Sequence, residues 1–362
     1  MLYSRRTSLL SSSGADSAVR IAYIGPNVGN SRHRADALRR LGHEVSVVDP
    51  WAYLGQSRWV ARWLYHAGAL GAPLLIDDWT FRHVKESRPE LVWVDQGPFL
   101  GPKLLQRLRS LSAPIVNYSV DDPFGARHRL RFRLYLRALP YYDLVAVVRE
   151  VNVREMRDCG APKVVRIFRS ADEVVHHPRV VTPDERQNYA SEVAFLGTWM
   201  PERGPFMAEL IRLGVPLTIW GDRWHKAREW SIIKKHWRGG AVYGAGYAKT
   251  ILSAKVVLGL LSKDNRDLHT IRSMEIPALG AVFCAERTSE HMDLYDDGVE
   301  AVFWNTPEEC AAACRRLLAD EVYRQSVARR GRERLRRNGH YNERVLTALL
   351  KEVGGYGVET NG

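Results

Sequence analysis

Residues 263–280, K-D-N-R-D-L-H-T-I-R-S-M-E-I-P-A-L-G, gather side chains suited to holding an anion beside a polyol. Arg272 supplies a fixed positive charge, and Glu275, one turn on, can accept hydrogen bonds from a vicinal diol. Thr270 or Ser273 can cap a helix whose free N–H groups and dipole favour an anionic group such as a diphosphate. Asp267 and His269 stand just before that cap. The same residues also read as an ordinary strand-to-helix connection with a solvated Arg–Glu face.

Asp121-Asp122-Pro123-Phe124 is the second chemical feature. A carboxylate at the end of an apolar run can take a proton or orient a hydroxyl. The competing reading is an Asp-Pro turn in which Asp121 or Asp122 caps a following basic helix. No D-x-D pair occurs here, so no metal is expected to be required. Cys310 and Cys314 lie one helical turn apart without a neighbouring His or Cys in sequence, which reads as buried thiols rather than a metal site.

These residues need rigid elements behind them. Residues 256–261 and 281–284 are apolar runs flanking the first stretch, so it reads as strand, polar loop, short helix, strand. In a parallel sheet such loops lie at the carboxyl edge, where ligands bind. Residues 115–120 place the Asp121 turn at an equivalent edge. Further strands are expected over 19–25, 91–97, 143–148, 164–168, 192–199 and 217–224. The first runs into Pro26-Asn27-Val28-Gly29-Asn30-Ser31 and a helix, a Rossmann-type opening that makes Asn27, Asn30 and Arg32 candidate cleft residues, with plain turn chemistry as the alternative. Residues 57–86, rich in Trp, His and Arg, read as a core helix pair or as an acceptor-side or membrane-facing insertion. Amphipathic helices are expected over 307–319 and 320–337, and a last helix after His340.

The length of 362 residues suits two α/β domains. The expected division is a disordered leader (1–18), an N-terminal Rossmann-like domain (19–170), a linker (171–190) carrying Pro178 and Pro183, a C-terminal Rossmann-like domain (191–337), and a terminal helix (338–362) crossing back. No apolar run nears the ~20 residues that span a bilayer, and residues 1–18 lack the apolar core of a signal peptide. A cytoplasmic protein is expected. The net charge of +12 fits contact with an anionic acceptor, an anionic membrane or nucleic acid, yet the basic residues are dispersed and no nucleic-acid-binding motif accompanies them.

The segment from Arg272 to Gly280, R-S-M-E-I-P-A-L-G, resembles the "R-x-F-E-I-P-A-x-G" signature of CgeB-like (spore maturation type) glycosyltransferases, with Met274 in place of an aromatic residue. The Asp121-Asp122-Pro123 turn, the F-L-G-T-W run with Arg203, and the H-Y-N-E-R sequence from His340 to Arg344 are similar to that family too. The resemblance covers most of residues 90–350 and implies a GT-B fold, two Rossmann-like domains facing across a cleft. It further implies a sugar moved from a nucleotide-diphosphate-sugar donor to an acceptor, with no cofactor beyond that co-substrate and no metal. Glu275 would hold the ribose of the donor, and Asp267, eight positions earlier, would stand near the transferred sugar. Arg203 and Arg272 would neutralise the diphosphate, with Gly197, His269, Thr270 and Ser273 around it. Asp121 or Asp122 would be catalytic on the acceptor side. Two alternatives stay open: a non-catalytic Rossmann-like protein binding nucleic acid or anionic membrane through its basic surface, and a nucleotide-sugar epimerase on the same fold.

Overall fold

The computed structural model describes residues 18–55, 59, 63, 71–125 and 130–354. Most of the leader, most of residues 57–70 and the Arg127–Arg129 part of one basic cluster lie outside the described residues.

Six strands form the first sheet: β1 (Arg20–Ile24), β2 (Glu44–Val48), β3 (Leu91–Asp95), β4 (Ile115–Ser119), β5 (Leu144–Val147) and β6 (Val164–Arg166). They pair in parallel in the order β2-β1-β3-β4-β5-β6. A parallel sheet needs crossover helices on both faces, so its central strands are buried on both sides and read as continuous apolar runs. β3 and β4 follow that rule, with every residue buried. The strand order reverses between β1 and β3, which opens a crevice beyond their carboxyl ends.

The second sheet repeats the scheme with β7 (Ser191–Leu196), β8 (Leu217–Trp220), β9 (Trp237–Gly239), β10 (Ala254–Gly259), β11 (Phe283–Glu286) and β12 (Val302–Trp304), in the order β12-β11-β10-β7-β8-β9. Its reversal lies between β7 and β10. β9 has no counterpart among the expected strands. It is a three-residue edge strand, largely exposed, and carries no apolar run to betray it.

The last helix, Asn342–Gly354, returns to the first domain. Leu346, Leu349 and Leu350 are buried there in one core cluster with Ala35, Leu38 and Tyr23. The segment read as a polar linker is more ordered than expected. Asp172 accepts the N–H groups of Val174 and Val175 at 3.0 and 2.9 Å, and the helix Pro183–Tyr189 begins with a Thr182–Glu185 capping box.

The carboxyl edges of the two sheets meet. Gly125 sits so close to the Asp264 carbonyl that a Cβ would lie 2.6 Å from its oxygen. Arg266 of the second domain forks onto Asp122 of the first at 2.5 and 2.8 Å, and also onto Glu155 at 2.8 Å. Arg149 and Asp267 form a second ion pair across the same seam.

Candidate functional site

Arg203 opens the helix Arg203–Arg212 and turns back toward the sheet. Its Nη1 donates to the Thr198 carbonyl at 2.8 Å, and its Nη2 to the carbonyls of Leu260 and Leu261 at 3.3 and 3.2 Å. The guanidinium therefore bridges the ends of β7 and β10, at the point where strand order reverses. Its hydrogen bonds all go to backbone oxygens and it lies 5.5 Å over the Phe195 ring; among the described residues it has no ion-pair partner, and its buried Nε has no hydrogen-bond partner. Burial, and next the charge of Arg272, push its pKa down to about 10, so it stays protonated at neutral pH.

Arg272 lies within electrostatic reach of Arg203, likewise without an ion-pair partner, and its buried Nε is also unpartnered. Two partly desolvated guanidinium groups that repel each other are costly to hold; Glu202, Glu286 and Asp267 offset part of that cost from a distance, none within ion-pair range of Arg203. A bound anion would offset that cost. Arg272 lines a cavity of about 160 Å³ with Gly197, Thr198, Trp220 and Tyr247. Gly197 and Gly221 are required by the close approach of the two strand ends: a Cβ on Gly221 (φ 144°) would fall 2.0 Å from the Gly197 oxygen. Trp224 is fully buried and donates its Nε1–H to the same oxygen at 2.9 Å, whereas half-buried Trp220 faces the cavity.

Glu275 is 4% exposed, and two protein donors fix it. Tyr247 donates its hydroxyl to Oε2 at 2.5 Å, and His176 Nε2 lies 3.4 Å from Oε1. His176 Nδ1 accepts the Asp172 N–H at 2.9 Å, so the ring proton is on Nε2 and points at Glu275. Burial, then the neighbouring Glu275 charge, push the Tyr247 pKa well above its ordinary value. A carboxylate has about four acceptor positions, which leaves Glu275 capacity for a diol.

The loop between β10 and Arg272 differs from expectation. Ser273 Oγ accepts the Thr270 N–H at 3.0 Å and contacts His291 Nε2 at 2.8 Å. Thr270 Oγ1 accepts the Arg272 N–H at 3.2 Å, and the Ser273 N–H bonds the Thr270 carbonyl at 3.1 Å. Those amides are consumed locally, and positive charge for an anion comes from the arginine side chains instead. His269 is 3% exposed: its Nδ1 meets Glu290 at 2.5 Å and its Nε2 accepts the Arg169 N–H at 3.1 Å. Burial lowers its pKa to about 4. It is a neutral tie between the domains. Asp267, paired with Arg149, is a tie as well.

The two adjacent aspartates separate. Asp122 is fully buried; Arg266, Asn152 and the Phe124 N–H all donate to it. Burial alone would raise its pKa, yet those bonds outweigh it and hold the carboxyl below its usual range. A carboxylate so held is a poor base and is fully buried, which disfavours the catalytic role expected of Asp122 and leaves Asp121 as the better-placed of the two. Asp121 points the other way. It lines a cavity of about 310 Å³ with Asn30, Arg34, Gln96, Arg169 and Ile271, the last from the second domain. Of the three candidate acceptor-side residues only Asn30 lines it. Asn27 is exposed and uses its backbone N–H on Asp49, and the largely exposed Arg32 pairs with Asp36 along its own helix.

Several residues at the cleft carried no mark in the sequence. Arg34, 4% exposed, forks onto buried Asp95 at 2.7 and 3.0 Å and lies 4.5 Å over the Tyr118 ring. Arg169 donates to the Val120 carbonyl at 2.9 Å, and its buried Nε is unpartnered. Arg149 and Arg169 follow β5 and β6 directly, and a basic residue just past a parallel strand is the signal that would have marked them. Away from the cleft, Cys284 joins Cys310 and Cys314 in the core, their sulfurs all within 4.8 Å of one another. Among the described residues this is the one His/Cys/Asp/Glu group with metal-ligand spacing. Cys284 comes from β11, so sequence spacing did not place it with the other two.

Comparison with known proteins agrees with this architecture. Residues 203–351 match the family model described as glycosyl transferase-like. No curated protein matches the chain. Among solved structures, Anabaena HepE in complex with UDP and glucose superposes with a TM-score of 0.64 at 12% identity, over 92% of this chain and 100% of that one. Sucrose-phosphate synthase from Thermosynechococcus elongatus gives 0.65 at 13% identity, over 92% and 98%. The UDP-forming trehalose-phosphate synthase from Burkholderia xenovorans, in complex with glucose-6-phosphate, gives 0.63 at 12%, over 93% and 100%. At these identities the likeness is one of fold, and the fold is GT-B.

Proposed function

We propose that the protein is a glycosyltransferase that takes its sugar from a nucleotide-diphosphate donor held in the second domain. The observation that carries this reading is the Arg203–Arg272 pair at the reversal point between β7 and β10, two mutually repelling cations with no ion-pair partner among the described residues. The glycosyl transferase-like match spans both residues, and the solved relatives that share the fold include complexes with UDP and UDP-glucose. The resemblance of residues 272–280 to CgeB-like enzymes points to the same subgroup.

In this reading Arg272 and Arg203 receive the diphosphate and stabilise the charge that builds on it as the glycosidic bond breaks. Arginines in a site of low dielectric supply that stabilisation without a metal. The nucleoside extends into the 160 Å³ cavity beside Trp220, and Glu275, oriented by Tyr247 and His176, accepts the ribose hydroxyls. The acceptor enters the 310 Å³ cavity, where Asp121 orients its hydroxyl and takes the proton. Most of the rate would come from positioning. No described helix is long and apolar enough to cross a membrane, and a cytoplasmic site of action belongs to the same proposal.

Calorimetric titration with a panel of nucleoside diphosphates tests the reading. One base should bind in preference to the others, and Arg272→Gln should weaken it at least about tenfold, the loss of one charge-assisted contact, with the unfolding temperature unchanged. Binding by none of the panel would sink the donor assignment.

A further inference from the structure

A cavity of about 870 Å³ lies outside the cleft. It lies among the first turns of the helices Ala72–Glu86, Pro102–Arg109 and Arg133–Ala138. Two of these helices follow β3 and β4 in the chain, and the first leads into β3. The cavity therefore opens at the same sheet edge as Asp121 and Gln96. Leu74, Leu130, Leu134, Pro73 and Pro102 make apolar walls. Leu74 is 88% exposed and Leu130 67%, a cost no described contact offsets. Lys103, Arg107, Arg133 and Arg137 also line it, against the two acids Asp77 and Asp78. Arg107 already pairs with Asp78 at 2.6 Å, whereas Arg133 and Arg137 have no ion-pair partner among the described residues.

An apolar recess of several hundred cubic ångströms with a few convergent polar groups is the usual form of a small-molecule site. A rim of unpaired arginines selects an anionic head over a neutral one. We propose that this cavity seats an anionic lipid, with a chain between Leu74, Leu130 and Leu134 and a phosphate at Arg133 and Arg137. The site is on the acceptor side of the cleft. If the protein is the glycosyltransferase proposed above, the lipid is its acceptor or anchors it; lipid binding itself does not depend on that reading.

Sedimentation of the full chain with phosphatidylcholine vesicles, with and without about one-third phosphatidylglycerol, tests the proposal. Binding should be confined to the anionic vesicles. Arg133→Ser with Arg137→Ser should weaken it on the order of 25-fold, about fivefold per basic residue. Leu74→Asp with Leu130→Asp should abolish it; both side chains are exposed, so the fold should survive, and an unchanged unfolding temperature checks this. Equal binding to both vesicle types overturns the anionic head. No binding to either, or leucine variants that sediment like the parent, overturns the site. Nucleoside diphosphate titration of the same variants should match the parent, which separates failure here from failure of the donor site.

Discussion

Ile271 and Arg272 are consecutive residues that line different cavities, Ile271 the one shared with Asp121 in the first domain and Arg272 the one beside Trp220 in the second. One peptide unit thus stands between the two halves of the cleft. Substitutions at the two residues should therefore separate the two half-sites in a kinetic test. Arg272→Gln should lose nucleotide affinity. Ile271→Lys, which projects a charge into the Asp121 cavity, should leave nucleotide affinity within about threefold and lower transfer at least tenfold, since misplacing a reacting group is costly. Calorimetry and turnover on one preparation of each variant check this. Equal loss of nucleotide binding in both would show that the cavities are not separate half-sites.

Asp121 and Asp122 should part company in the same way. Asp122→Asn removes a buried carboxylate that accepts from Arg266, Asn152 and the Phe124 N–H, while Arg266 is 37% exposed and keeps Glu155, so the substitution should cost on the order of 1–3 kcal/mol of stability. Asp121→Asn, at a partly exposed residue whose one described ion pair is Arg131 at 3.7 Å, should cost little stability and lower turnover. Thermal unfolding beside a transfer assay separates the two effects. A stable Asp122→Asn with impaired turnover would return that residue to the chemistry.

Much of the scaffold was legible because buried parallel strands leave a strong signal. The runs at 91–97 and 115–120 contain β3 and β4, and the run at 256–261 overlaps β10. Arg203, Arg272 and Glu275 could be singled out because each follows a strand in a pattern that resembles a known signature; their roles belong to the proposed function. What failed were judgements that need the third dimension. Asp122 looked equivalent to Asp121 until Arg266, 144 residues away, closed on it. His176 looked like part of a polar linker until its Nε2 met Glu275. The amides at Thr270 and Ser273 looked free because local Ser and Thr hydroxyls compete for them, a competition that sequence spacing does not resolve.

The thiol cluster gives a chemical test of the core. Cys284, Cys310 and Cys314 are buried, while Cys159 is partly exposed. An alkylating reagent should modify Cys159 first, slowed because burial and then Asp158 and Glu155 push its thiol pKa up. The other three should react only on unfolding. Mass spectrometry of the partly labelled protein checks the order, and early labelling of Cys310 would contradict the packing around β11.

His269 sets a pH dependence on the way the domains are tied. Burial holds its pKa at about 4 in the folded protein, against about 6.5 in an unfolded chain. The folded-state value is the lower one, so the unfolded state takes up the proton first as pH falls. The stability from neutral His269 is fully present above about pH 6.5 and drains away between there and about pH 4, by up to roughly 3 kcal/mol. His340, also lowered to about 4 by burial and then by His269, adds to the same window. Glu290, which receives the His269 Nδ1–H, is held below its ordinary value, so it keeps its charge over most of that range. Unfolding temperatures from pH 7.5 to 4.5 should therefore fall for the parent. His269→Gln, with no titrating ring, should start lower at pH 7.5 and fall less. If the two curves run parallel, the acid sensitivity arises elsewhere and the Arg169 N–H bond to His269 is not what couples the domains to pH.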